Sequence, residues 1–211
     1  MDSRTYKIQS PGGVPLKVTP GHFATSHAHI NYYLDMTTLK ARVSEAEKAA
    51  AELAGMYVYT TVVDTIVCLD GTQIIGAFLA EKLTQAGIRS MNTHKTIYVV
   101  TPEFNNSSQM IFRENTQLMI TGKHILILMA SVTTGKTAAK AMECVQYYGG
   151  NLEGICAVFS ALDRLDKTPV NSIFHVRDLP GYASFDFREC PHCQRGERLD
   201  ALVNGYGYSR L

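Results

Sequence analysis

The sequence lacks a dominant charge: 20 Lys and Arg stand against 19 Asp and Glu, a formal net charge of +1. No Lys/Arg cluster forms a basic stripe, so nothing points to a nucleic-acid partner. Long apolar runs are missing as well. Those present are short and broken by charge, which excludes a membrane-spanning helix. Met1 to Gly13 contains no apolar run, so no secretory leader is expected. Five cysteines is an odd count, and Cys68, Cys144 and Cys156 sit inside apolar segments. That is the pattern of reduced, buried thiols in a cytoplasmic protein. Internal repeats and low-complexity segments are absent. No Ser–His–Asp or Cys–His–Asn constellation can be placed, which leaves hydrolase chemistry without support. What is present is a chain of 211 residues, 45% hydrophobic, enough for one good core and a small appended element.

Residues 1–35 read as irregular, with Pro11, Gly12, Gly13, Pro15, Pro20 and Gly21 punctuating short extended pieces. From Thr38 a helix is expected, because Leu39, Val43, Ala46, Ala50 and Leu53 recur at helical spacing before Gly55. Met56–Val63 reads equally as a helix end or a strand. Beyond it the chain alternates. Thr65–Leu69 predicts a buried strand, and Ile75, Phe78, Leu79 and Leu83 a helix ending by Gly87. Thr96–Val100 predicts a second strand, followed by a polar stretch over Thr101–Ser108 and an undefined segment to Gly122. His124–Met129 is strongly apolar and leads through Ser131–Thr137 into a helix carrying Ala141, Val145 and Tyr148. Ile155–Ser160 and Val170–Val176 predict two more strands. Continuous apolar strands alternating with helices imply an α/β fold, a parallel sheet covered on both faces. Right-handed crossovers then gather the loops along one carboxyl edge, where ligands of such sheets bind.

The segment from His124 to Thr137 carries the clearest chemistry. An apolar strand runs into Val132-Thr-Thr-Gly-Lys-Thr137, which opens a helix. Unpaired amides and the helix dipole there favour an anion, and phosphate is the natural guest. Thr133, Thr134 and Thr137 add hydroxyl donors, and Gly135 permits close backbone approach. A capped turn without a ligand is the bland alternative. Ala130 followed by Gly135-Lys136-Thr137 also comes within one residue of the P-loop pattern, in which Lys136 reaches phosphates and Thr137 holds magnesium. Against that, the first position is Ala, and Ile155–Ser160 ends without a second acidic element.

Thr-Thr-Gly-x-Thr after an apolar strand resembles the ribose-phosphate signature of type I phosphoribosyltransferases. Ser26-His-Ala-His-Ile-Asn-Tyr-Tyr-Leu-Asp35 is similar to the N-terminal stretch of orotate phosphoribosyltransferases, with Ser26, Tyr32, Tyr33 and Asp35 matching. Asp64–Asp70 resembles their strand into the pyrophosphate loop, here Asp70, Gly71 and Thr72. Ile155–Arg164 resembles the strand ending in Asp-Arg, and Cys190-Pro-His-Cys193-x-x-Gly196 a C-terminal Cys-Pro-x-Cys-x-x-Gly. The resemblance runs from about Phe23 to Gly196. It implies one phosphoribosyltransferase-like domain over 1–211, with a 38–177 core and hood or tail elements at 1–37 and about 178–211. It implies transfer of ribose 5-phosphate from phosphoribosyl pyrophosphate (PRPP) to a nitrogenous base such as orotate, in pyrimidine nucleotide metabolism. Magnesium would accompany PRPP, and a homodimer is expected. Thr133, Thr134, Gly135, Lys136 and Thr137 would hold the phosphate. Tyr32, Tyr33, Thr133 and Arg164 would meet the base, while Asp70 and Arg113 would act in catalysis.

Two departures bear on that reading. Where the family has an acidic pair that binds the ribose hydroxyls, this chain has Met129 and Ala130. Hydrogen bonds to charged groups are worth about 1.5–3 kcal/mol each, so losing two weakens ribose and transition-state binding by orders of magnitude. Asp70, Asp163, Glu103 and Glu114 are the acids available to substitute. The family's N-terminal Lys also has no counterpart beside Ala28 and His29, and the lid segment Thr101–Thr121 holds Arg113 as its only basic residue. A weakly basic lid suits a pyrophosphate leaving group poorly. These changes open the alternative of a regulatory protein that binds PRPP or a nucleotide without turning it over. Finally, Cys190 and Cys193 are candidate zinc ligands, and His22, His27, His29 or a partner subunit would have to complete the four that zinc takes.

Overall fold

The buried strands pair as their apolar runs require. The computed structural model describes residues 4–93, 96–107 and 109–211; Met1–Ser3 and Ser108, within two of the segments read above, lie outside the described residues. In chain order the elements are β1 (Tyr6–Gln9), β2 (Pro15–Ala24), β3 (His29–Asp35), α1 (Thr37–Ala41), α2 (Val43–Ala54), β4 (Thr65–Cys68) and α3 (Gln73–Gln85). Then come β5 (Tyr98–Val100), β6 (Glu103–Phe104), β7 (Met110–Ile111), α4 (Glu114–Gln117), β8 (His124–Val132), α5 (Lys136–Tyr147) and β9 (Asn151–Ser160). The chain ends with β10 (Arg164–Leu165), β11 (Thr168–His175), β12 (Ser184–Phe185), α6 (Pro191–Gln194), β13 (Ala201–Asn204) and β14 (Gly207–Arg210).

The central sheet has the order β10-β11-β9-β8-β4-β5 and is parallel except for the edge hairpin β10–β11. Side chains alternate across it, as strand geometry dictates. Ile66, Cys68, Leu126, Leu128, Cys156 and Val158 pack with Ala46, Ala50 and Leu53 of α2 and Ile75, Leu79 and Leu83 of α3. Val67, Ile125, Ile127, Ile155 and Ala157 face the other way, against Ala138, Ala141 and Val145 of α5. Both faces are covered, which is why the strands read as unbroken apolar runs. No helix of the described residues is long and apolar enough to cross a membrane.

Three local readings change. Residues 6–35 supply β1, β2 and β3 to a second sheet, β12-β3-β2-β13-β14 with β1 on the edge of β2. Val14, Leu16 and Val18 are wholly buried, and this alternation outweighs the prolines: Pro15 begins β2, and Pro20 and Gly21 fall where its register with β3 shifts. The expected single helix from Thr38 is two, because Arg42 adopts an extended backbone (φ −99, ψ 116), caps α2 and leaves Val43 exposed. Met56–Val63 is neither helix nor strand: turns run through Thr60, tied down by Tyr57, whose hydroxyl donates to the Ile155 carbonyl.

Candidate functional site

The carboxyl edge of the central sheet forms the floor of a cleft. Its lining comes from Asp70 after β4, Met129 to Thr137 at the end of β8 and start of α5, and Phe159 of β9. The second sheet supplies the roof: Thr25 to His27 of the β2–β3 turn, Ile30 and Tyr33 of β3, and Asn204, Gly205 and Gly207 where β13 turns into β14. Lys40 of α1 and Tyr182 close the sides.

Gly135 caps α5 with a left-handed backbone (φ 76, ψ −6), and no side chain caps that terminus. A Cβ at Gly135 would also stand 2.8 Å from Leu165 Cδ1 and 3.1 Å from Leu162 Cδ1. Glycine is therefore required twice, by conformation and by space. Thr133, Thr134, Gly135, Lys136 and Thr137 all line the cleft, with Lys136 and Thr134 exposed, so the turn presents amides, hydroxyls and one cation to a guest.

On the opposite lip, Asp70 and Gly71 both have positive φ (54 and 78), and the Thr72 amide donates to the Leu69 carbonyl at 3.1 Å. The turn is of type I′. Burial pushes the Asp70 carboxyl above its ordinary pKa, while Lys40 and the Ala130 amide pull it back. Lys40 Nζ donates to the Asp70 carbonyl at 2.9 Å and also to the Gly205 carbonyl. Burial lowers its pKa, opposed by the charges of Asp70 and Asp35. Thr72 is fully buried and gives its hydroxyl to the Leu69 and Leu128 carbonyls, at 2.7 and 3.2 Å. Its hydroxyl thus holds the loop, and Asp70 is the member of this trio that lines the cleft.

Met129 and Ala130 lie on the cleft floor and are nearly inaccessible. Of the acids considered as substitutes, Asp70 alone lines the cleft; Glu103 is paired with Arg113 at 2.8 Å, and Glu114 and Asp163 are exposed elsewhere. Arg113 sits at the start of α4, bound to Glu103, and is not part of the lining. Arg164 is exposed on the β10–β11 hairpin and donates to the Lys167 carbonyl at 2.7 Å, also away from the lining. The two neighbouring tyrosines diverge, as residues of a strand must. Tyr33 lines the cleft against Tyr208, burial pushing its hydroxyl up to about 12, whereas Tyr32 donates to the Pro180 carbonyl and stacks on Tyr182.

Sequence reasoning missed Lys40, the Asn204–Gly207 turn and the aromatic wall of Phe159 and Tyr182, whose rings meet edge to face at 5.0 Å. Nothing in their local sequence marks them; each reaches the cleft through tertiary pairing.

Away from the cleft, Cys190 and Cys193 meet His22 and His29. The four ligand atoms lie within 4.8 Å of one another. His22 comes from the irregular part of β2, His29 opens β3, and the cysteines bracket the first turn of α6.

The fold has solved counterparts. Leishmania donovani UMP synthase superposes with a TM-score of 0.57 at 16% identity, over 77% of this chain and 34% of that one. Orotate phosphoribosyltransferase of Mycobacterium tuberculosis H37Rv gives 0.54 at 16% identity, over 78% and 93%. The chain has the type I phosphoribosyltransferase fold. Orotate phosphoribosyltransferase of Aeropyrum pernix agrees, with a TM-score of 0.51 at 16% identity over 76% of this chain and 88% of that one. No family model matches the sequence. The chain spans about a third of the length of the Leishmania enzyme. In this phosphoribosyltransferase fold the expected α/β architecture, a parallel sheet covered by helices on both faces, is present.

Proposed function

We propose that the chain binds PRPP in this cleft and transfers its ribose 5-phosphate to a pyrimidine-type base such as orotate. The observation that carries the reading is the uncapped, glycine-led N-terminus of α5 opening into a cleft that also holds Lys40 and Asp70. The α5 amides and the hydroxyls of Thr133, Thr134 and Thr137 bind the 5-phosphate dianion. Tyr33, Phe159 and Tyr182 give the base an apolar, aromatic wall. Lys40 faces the side where the pyrophosphate negative charge would sit. Magnesium fits this donor set in the way it fits other phosphate sites, through one carboxylate plus the ligand's own oxygens. Asp70, a buried carboxyl on the cleft lip, is the residue that would hold it. When bound, magnesium supplies neutralisation of the leaving pyrophosphate.

A second reading is favoured by Met129 and Ala130. With two apolar side chains where ribose hydroxyls would be received, the same cleft suits a regulatory protein that holds PRPP or a nucleotide without turnover. Calorimetric titration with PRPP and magnesium, followed by orotate consumption in the same sample, separates the two. Binding with consumption supports transfer, and binding without consumption for any base supports the regulatory reading. No binding to PRPP sinks the transfer reading, and no binding to PRPP or to any nucleotide sinks both.

A further inference from the structure

We propose that His22, His29, Cys190 and Cys193 ligate one zinc ion, which fastens the C-terminal segment to the β2–β3 hairpin.

Four of the six ligand-to-ligand distances are close to those of a tetrahedron, and all four atoms lie within 4.8 Å of one another. Zinc bonds of about 2.3 Å to sulfur and 2.0–2.1 Å to nitrogen put tetrahedral ligand atoms about 3.4 Å apart for N···N and about 3.6 Å for S···N. Here His22 Nε2 lies 3.1 Å from His29 Nδ1 and 3.4 Å from Cys190 Sγ. Cys193 Sγ lies 3.7 Å from His22 Nε2 and 3.3 Å from His29 Nδ1. Hydrogen bonding alone does not account for this convergence. One imidazole nitrogen offers either a single proton or a single lone pair, yet three heteroatoms crowd His22 Nε2. A central cation satisfies all of them at once.

The surroundings match. His22 Nδ1 is 3.2 Å from the Glu197 carbonyl oxygen, so it donates its proton there and leaves the Nε2 lone pair pointing into the cluster. A fixed tautomer held by a carbonyl is the usual outer support of a zinc histidine. All five cysteines are free, so Cys190 and Cys193 form no disulfide. Cys190, His22 and His29 are buried, and Cys193 is exposed, which leaves an entry path for the ion. Thiolate and imidazole in equal number select zinc over magnesium or calcium. Four protein ligands leave no open position, so the site is structural rather than catalytic.

The consequence for the fold is local. The His22 amide donates to Asp200 Oδ2 at 2.8 Å, and the Asp200 amide to the His22 carbonyl at 2.7 Å. The ion would therefore reinforce the junction from which β13 departs to pair with β2 and carry the Asn204–Gly207 turn over the cleft.

The test is metal analysis of the full chain purified without chelators. One zinc per chain is expected, and cobalt-loaded protein should show the thiolate charge-transfer band and the intense visible bands of a tetrahedral site. Cys193→Ser and His29→Asn should each lose most of the zinc. Removing zinc from the unaltered chain should speed tryptic cleavage at Arg195 and Arg198. A chain that purifies without zinc and takes up none on titration overturns the proposal. So does zinc retained in full by both variants, or a cobalt spectrum without thiolate character.

Discussion

Gly135 and Lys40 carry the clearest consequences of single residues. Gly135→Val combines a positive φ with a clash against Leu165, and backbone strain of this kind costs about 1–3 kcal/mol. Binding of inorganic phosphate or PRPP should be lost in this variant while the fold survives, as read by calorimetry beside a melting curve; normal binding would remove the α5 terminus from the site. Lys40→Met leaves the carbonyls of Asp70 and Gly205 without their shared donor. Amide exchange over Ala201–Arg210 should accelerate in that variant, and unchanged exchange would mean that the lysine does not hold the turn. The first of these residues was legible because Thr-Thr-Gly-Lys-Thr is a local pattern. The second was not, because a lysine in a short helix gives no sign of which distant carbonyls it will meet.

Helix α3 packs on β4 through Gly76, where a Cβ would stand 2.4 Å from Cys68 Sγ and 3.3 Å from Val99 Cγ1. Gly76→Ala should therefore destabilise by about 1–3 kcal/mol, although alanine is the better helix former. Cys68→Ala removes the obstructing sulfur, so the double variant should recover most of that loss. A chemical-denaturation cycle reads the coupling, and additive losses would show that the sulfur is not the obstacle. Strands β4, β8 and β9 were legible as apolar runs, since burial on both faces leaves no alternation to confuse. The break at Arg42 and the strand β2 were not. Helical spacing continues through Arg42 whether or not the backbone does, and Pro15, Pro20 and Gly21 resemble loop residues until the register shift that accommodates Pro20 and Gly21 is seen.

Across the whole molecule, buried thiols and phenols couple stability to alkaline pH. Burial pushes Cys68 up to about 12 and Cys144 to about 11 from 9.0, and Tyr33 to about 12 from 10.0. In the unfolded chain these groups ionise at their ordinary values. Their contribution is thus complete below pH 9 and is lost as pH rises toward the folded values. At about 1.4 kcal/mol per pH unit for each group, unfolding free energy should fall steeply between pH 9 and 11. Cys68→Ala should shallow that slope by up to one such increment. An unchanged slope would place the titration elsewhere. The carboxyl edge of the sheet, where the cleft lies, was readable at this scale from topology, whereas the roof of the cleft depends on pairings between the two ends of the chain that no window of sequence contains.

That roof has a temporal meaning. His22 and Asp200, 178 positions apart, exchange hydrogen bonds at the junction of β2 and β13. At roughly 5–20 residues per second of synthesis, β2 would wait on the order of ten seconds or more for its neighbour. The Thr133–Thr137 turn after β8 would be made before the cleft is roofed. A nascent chain would hence pass through a stage with the floor of the cleft open to solvent and an unpaired strand edge exposed, the kind of edge that invites association with other chains.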